Sequence, residues 1–465
     1  MKKFYIFLVA AIAIMFTSCD KQLDIVPHGK TTFTTVEELE SLINQQWRPY
    51  DWYMDYNYIC NQTVPGEVEE IYNIKNSLNH AWFFCDESID RADLTEEDYR
   101  YSYLYEYIYY MNIIINKMDN VSGDAAKKKQ LVSEARVLRA WFHFLLVNFY
   151  AQQYDESTAA EKGGIAYVDN NNAAEQKTKL TVAQVYERIL EDCSDEVLAN
   201  LKPMPVNDPC RFEADFGYAV RSRVLFQMKR YSEALTYARK ALAVNGNIHN
   251  RNSILTSGTY EKPFDASDVY LFINSNSLTN GGTLSLTTLS GDLMSLFEEG
   301  DYLRYYTDEW EWYFEDDLEL GLPGVATYYG SSYRMNIYGM DAENMYYVAA
   351  ESLILTGNID DGLDMVDRVR TSRIHPDFFK PFKGTVSTAA EAMKLLRNAK
   401  RIEFMLSFEH FFDCKRLNTI PEYAAPTVRD CGEYGTRSLS PDSPIWVYPF
   451  PMNATNFNSS LTQNY

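Results

Sequence analysis

AVRSRVLFQMKRYSEALTYARKAL, residues 219–242, and YVAAESLILTGNIDDGLDMVDRVR, residues 347–370, decide the fold. Set 128 residues apart, the two stretches align turn on turn. Phe226 meets Ile354, Tyr231 meets Ile359, Ala234 meets Gly362, Leu235 meets Leu363 and Ala238 meets Val366. Each reads as a helix, a tight turn and a second helix, with a small residue on one helix opposite a large one on the other.

That pattern is how tetratricopeptide-type hairpins interlock. Another helical pair precedes it. Leu131, Ala135, Leu138, Phe142, Leu145 and Phe149 recur at steps of four and three, one apolar stripe over about 127–150. YLYEYIYYMNIIINKM, 103–118, is a second helix, separated from the first by Asn120, Ser122, Gly123 and Asp124. Earlier still, TTVEELESLINQQW predicts a helix capped by Thr35, with Glu38 completing a capping box. The repeats are scattered, so a plain solenoid is excluded. The largest insertion, about 246–342, is rich in Gly, Ser, Thr and Asn and carries aromatic clusters. A loop of that length in a compact protein is usually functional or has minor structure of its own. The closing segment, WVYPFPMNATNFNSSLTQNY, reads as an extended tail wrapping the body.

The chain of 465 residues carries 43 basic and 65 acidic side chains, a net charge of −22. Such a chain repels phosphate backbones, which argues against nucleic acid as a partner. Aromatics are abundant: 36 Tyr, 25 Phe and 7 Trp. Tyrosine pairs a flat apolar body with a polar tip, a chemistry suited to wet binding surfaces.

At the start, Lys2 and Lys3 precede thirteen apolar residues, Phe4 to Phe16, then Thr17, Ser18 and Cys19. The apolar run is short for a bilayer span. The pattern predicts a lipoprotein signal over 1–18, with lipid on the Cys19 sulfur and a soluble, tethered body beyond it. The other cysteines, 60, 85, 193, 210, 414 and 431, show no zinc-like spacing. Disulfides and buried free thiols both fit them.

WRPYDWYMDYNY, 47–58, packs six rings into twelve residues where Pro49 and the acids discourage a helix. These rings either pack under a loop or form a platform for a flat polar ligand. A sugar ring has an apolar C–H face on which Trp or Tyr stacks, while Asn, Asp or Arg reads its hydroxyls. NHAWFF, 79–84, and DEWEWYF, 308–314, mix rings and polar groups in the same way. Among these stretches and the neighbouring YLRYY, Trp52, Tyr53, Trp82, Tyr305, Trp310 and Trp312 are the candidate ligand-binding residues.

Catalysis finds little footing. Glu309, Glu311, Glu315, Asp316 and Asp317 form a run of acids that reads as a solvated face sooner than a glycosidase pair. Glu409, His410 and Asp413 share a helical turn without the further ligands a metal site needs, and a half-buried histidine is the better reading. No phosphate-loop, dinucleotide or hydrolase motif is present. Arg401, Glu403, Glu409, Asp413 and Arg416 read as a structural charge network on one last long helix. The expectation is no enzyme, no cofactor and no metal.

Several stretches together resemble the SusD/RagB family of Bacteroidetes outer-membrane lipoproteins. CDKQLDIVPHG resembles the family's Cys…Leu-Asp-x-x-Pro-x-Gly leader, and EARVLRAWFHFLLVNFYA, 134–151, its Glu-Ala-x-x-Leu-Arg-Ala-aromatic helix. KGGIAYV resembles a Gly-Gly-Ile-Pro stretch, with Ala166 in place of Pro. RIEFMLSFEHFFDCKR, 401–416, keeps the family's Glu409, Asp413 and Arg416 but has His410 where Gly is usual. WVYPFP and NSSLTQNY resemble the closing segment, without the Pro before Leu461.

The resemblance implies a mostly α fold, with about four tetratricopeptide-like pairs and long irregular insertions forming a ligand-binding lobe. It implies a single domain over 19–465: a scaffold over about 31–245 and 343–416, an irregular lobe over about 246–342, and a wrapping tail over 417–465. It further implies a cell-surface lipoprotein of the outer membrane that captures oligosaccharides for a SusC-like TonB-dependent transporter. The same lid used for peptides, and a helical-repeat scaffold that binds only protein, are the alternatives.

Overall fold

The computed structural model describes residues 33–45, 47, 55–64, 77–203, 210–253, 267–273, 285–305, 312–315, 324–329 and 336–465. Of 285–288, 304–305, 312–315 and 324–329 it describes the backbone alone.

Helical pairs make the body. Tyr99–Lys117 pairs with Ala125–Tyr150, Ala214–Gln227 with Tyr231–Val244, Ala342–Leu355 with Ile359–Arg370, and Ala389–Glu403 is followed by Glu409–Leu417. The expected fold class, mostly α with tetratricopeptide-like pairs, is the one observed. Helix Ala125–Tyr150 begins at Asp124, whose carboxylate accepts from Lys127 N at 2.8 Å. Its predicted stripe is buried, and from Val137 to Tyr150 every side chain is buried. The helix therefore runs through the middle of the molecule, and its polar members need partners there. Arg139 donates to Asp192 at 2.7 Å, and Asn148 accepts from the Tyr186 hydroxyl at 2.9 Å.

The aligned hairpins interlock as their sequences predict. Ala234 and Gly362 are the small residues at the two crossings. A methyl group at Gly362 would stand 2.6 Å from Ile354 Cγ1 and 2.7 Å from the Ala350 carbonyl oxygen. Only hydrogen fits, so the two helices approach to backbone contact. Thr35 makes the expected capping box, although the helix it starts is short, Val36–Glu40.

Three expectations are corrected. The charge network lies on two helices, because the chain breaks between Glu403 and Glu409 and Leu406 takes a left-handed φ of 69°. The break frees the Leu406 carbonyl, which accepts from Tyr56 Oη and Asn57 Nδ2, each at 3.0 Å. The tail is not wholly extended: Met452–Phe457 is a helix, fastened by Met452 N to Thr95 O at 2.8 Å. The segment read as irregular, 246–342, carries strands. Ser285–Ser290, Gly324–Tyr329 and Trp312–Glu315 join Thr63–Val64 in a four-stranded antiparallel sheet.

Of the predicted charges, Glu403, Glu409, Asp413 and Arg416 form buried ion pairs, while Arg401 pairs with the exposed Asp292 at 2.9 Å. Arg416 pairs with Glu351 at 2.7 Å, and Lys400 with Asp413 at 2.7 Å and Glu409 at 3.3 Å. Arg373 bridges Asp301 at 3.0 Å and Glu403 at 2.6 Å, which fastens the strand-bearing segment to the helical body. Cys60, Cys85, Cys193, Cys414 and Cys431 are free thiols.

Candidate functional site

The sheet decides which aromatic stretches meet. Thr63 pairs with Leu289 and Val64 with Thr288, so the end of the 47–64 segment is the edge strand of the sheet. Two strands further in, Tyr329 and Tyr328 stand opposite Trp312 and Tyr313 of the other edge strand. Helix Leu78–Phe84 packs on helix Tyr56–Ile59, which leads into the edge strand. Thr63–Val64, which follows the first aromatic stretch, and residues 312–314 of the third therefore share one sheet, with helix Leu78–Phe84 of the second packed on the helix that leads into it.

Many of the rings in them are core. Trp47 is 1% exposed and its indole N–H donates to Cys210 O at 3.1 Å. Tyr56 is buried among Phe149, Tyr338 and Phe411. Trp82, a predicted ligand-binding residue, is 4% exposed with its ring 5.3 Å from that of Tyr448. Trp82 thus offers little open face for stacking, while its indole N–H meets no acceptor among the described residues. Trp52, Tyr53 and Trp310 lie outside the described residues, as do Cys19, Glu309, Glu311, Asp316 and Asp317. Trp312 opens strand Trp312–Glu315, and Tyr305 closes the short helix Tyr302–Tyr305.

Beneath these stretches lies a buried cation the sequence reading did not single out. Arg100 is fully buried, 2.7 Å from Asp55, with its guanidinium 4.4 Å from the Tyr448 ring centre and 4.7 Å from that of Phe149. Tyr448 donates to the same Asp55 oxygen at 2.5 Å. Burial pushes the Asp55 carboxyl above its usual range, and Arg100 partly opposes that. The arrangement ties the end of the aromatic stretch to the closing segment. Asp55 among rings is the signal in the sequence, but its partner lies 45 residues on.

A separate cavity of about 320 Å³ is lined by Gln152, Gln153, Lys415, Trp446 and Tyr465, among others. Its rings are engaged: Trp446 donates to Ser440 O at 2.9 Å, and Arg91 sits 4.2 Å from the Tyr465 ring centre. Lys415 donates to the Ala151 and Asn148 carbonyls, and burial pushes its ammonium down to about 7.

Glu409, His410 and Asp413 do not converge. Glu409 and Asp413 turn inward to Arg223, Lys400 and Arg416. His410 turns to Cys414, whose sulfur is 3.5 Å from its Nε2. Among the described residues no group of three His, Cys, Asp or Glu side chains is placed to hold a metal ion. No described helix is long and apolar enough to cross a membrane.

The helical-pair fold is shared with solved SusD-type structures. A SusD superfamily protein from Bacteroides thetaiotaomicron superposes with a TM-score of 0.69 at 18% identity, over 93% of this chain and 100% of that one. A SusD-like carbohydrate binding protein from Bacteroides vulgatus gives 0.65 at 15% identity, over 92% and 98%. Surface glycan-binding protein A from Bacteroides uniformis gives 0.66 at 16% identity, over 92% and 99%. Residues 21–224 match the SusD-like family model described as "Starch-binding associating with outer membrane". Over those residues the chain is similar to the SusD-like family, and it shares the fold of the solved SusD-type structures. A search of curated protein sequences gives no match.

Proposed function

We propose that the protein is a cell-surface lipoprotein, anchored through Cys19, that captures oligosaccharides without cleaving them. In this reading it delivers them to a SusC-like TonB-dependent transporter of the outer membrane. The observation that carries the reading is the sheet register, which joins Thr63–Val64, at the end of one aromatic stretch, to Trp312–Glu315 and Gly324–Tyr329 of another in one sheet. Rings from Trp52, Tyr53, Tyr305, Trp310 and Trp312 stack on sugar faces there, and Trp82 lies beneath with its unpaired N–H. The family description and the names of the similar proteins support a glycan as ligand.

Native affinity electrophoresis of the lipid-free chain, residues 20–465, tests this on gels containing plant, fungal and host glycans. Retardation by a glycan, lost in a Trp52→Ala/Trp310→Ala variant, is the expected result. Retardation that survives the double substitution keeps capture and removes these residues. No retardation on any glycan, with binding to a peptide library, favours the peptide-binding form of the lid.

A further inference from the structure

Helix Ala389–Glu403 has two unlike faces. Ala392, Leu396, Ala399, Lys400 and Glu403 are buried in the body. Lys394, Arg397 and Arg401, spaced three and four apart, share another face and line a cavity of about 380 Å³. The segment Tyr423–Val428 contributes to its wall, and Asn61, His410 and Cys414 line it as well. A volume of this size holds a single sugar residue or a comparable small group.

The charge balance of this cavity opposes that of the chain. One lining carboxylate, Asp292, stands against three cations, and it is paired with Arg401 at 2.9 Å. Lys394 and Arg397 make no ion pair or hydrogen bond among the described residues. In a protein where 65 acidic side chains outnumber 43 basic ones, two lining cations without a carboxylate partner are notable. A solvated basic face explains such cations on an open helix; here they line a half-open cavity, with Lys394 exposed and Arg397 half-buried. Asn418 adds a buried side-chain amide nitrogen that has no acceptor. Burial, with Arg401 and Arg397 nearby, holds the His410 imidazole well below its usual range, so at neutral pH it adds no charge and the arginines set the field.

We propose that this cavity is a second saccharide subsite that takes a sugar bearing an oxyanion, a uronate carboxylate or a sulfate ester, held by Arg397 and Lys394. This rests on the oligosaccharide-capture reading and names the class of glycan captured. The guanidinium fork suits a planar carboxylate and a sulfate alike, and lysine supplies a point charge. Placement supports a link to the aromatic surface. Asn61 and Asp292, on the cavity wall, lie two residues outside the paired strands Thr63–Val64 and Ser285–Ser290.

Isothermal titration of the lipid-free chain, residues 20–465, separates the sources. The probes are oligogalacturonate, a sulfated galactan (carrageenan) oligosaccharide that carries no uronate, and a neutral malto-oligosaccharide, each with wild type, Arg397→Gln and Lys394→Gln. The expected result is binding of one acidic probe, weakened about tenfold by Arg397→Gln and less by Lys394→Gln, with no effect of either variant on a neutral probe. Oligogalacturonate as that probe assigns a uronate, and the uronate-free sulfated galactan alone among the acids a sulfate ester. Acidic probes that bind no better than the neutral one, or that ignore both variants, overturn the subsite and leave glycan capture standing. Failure of every saccharide, here and on the glycan gels, overturns capture and the subsite together. The two cations lack ion-pair partners, so thermal melting of both variants should match wild type and confirm that they fold.

Discussion

Thr63 pairs with Leu289 across an antiparallel ladder, although 225 residues separate them between strands Thr63–Val64 and Ser285–Ser290. The helical pairs place those two segments side by side, and the pairing brings together aromatic stretches that are unrelated along the chain. The consequences for stability and binding are separable.

Trp82→Ala should act on stability. The ring is 4% exposed and packed on Tyr448, so its removal leaves a cavity costing about 3–5 kcal/mol. Urea unfolding measures this. A variant with unchanged stability and lost glycan retention would mean the ring faces ligand instead.

Gly362→Ala should loosen the hairpin Ala342–Leu355/Ile359–Arg370. The added methyl meets Ile354 Cγ1 at 2.6 Å and the Ala350 carbonyl at 2.7 Å, and only the first of these is a side chain that can move. Overpacking of this kind costs about 1–3 kcal/mol. A lower urea midpoint with an unchanged slope is expected, and an unchanged midpoint would show that the helices separate freely.

Arg373→Met should release the sheet-bearing segment. Asp301 and Glu403 are left buried without their shared cation, at a cost of about 3–5 kcal/mol. Arg251 still pairs with Glu403, so Asp301 is the carboxylate left most exposed to the loss. Limited proteolysis should show faster cleavage in 285–305 than in Ala125–Tyr150. Equal rates would contradict the fastening role.

Stability should fall as pH rises from about 4 to about 8. Burial pushes Asp341 up to about 8, aided by Glu343, and Asp268 up to about 7, aided by Asp341. Unfolded, both ionise near about 3.9. Across that window the unfolded chain has released protons that the folded chain retains, so folding loses free energy as pH rises. Asp341→Asn keeps an oxygen for the Asn336 amide and removes the proton, so its slope should be shallower by up to about 1.4 kcal/mol per pH unit. Parallel slopes for wild type and variant would contradict this.

The helices were legible because their information is local. The 127–150 stripe and the Ala234 and Gly362 crossings repeat at helical spacing, and both hairpins stand where that spacing puts them. The sheet was not legible. Its strands are two to six residues long, and their partners are fixed by register across distant segments, which no local pattern encodes. The break at Leu406 was hidden for a similar reason: its carbonyl serves Tyr56 and Asn57, some 350 residues away. Helix Met452–Phe457 is pinned by Thr95 and Glu96 rather than by its Asn-rich sequence. The rings misled in one respect. A polar neighbourhood in sequence did not keep Trp82 on the surface, because helix Leu78–Phe84 turns its aromatic face inward.

The central claim is that one surface, built from stretches on either side of the Thr63–Leu289 pairing, holds the glycan. A crystal structure of residues 20–465 bound to the most strongly retained oligosaccharide tests it most directly. The account predicts sugar rings contacted from both the 48–54 and the 306–323 stretches. A sugar seated on the helical pairs alone, with neither stretch in contact, would contradict it.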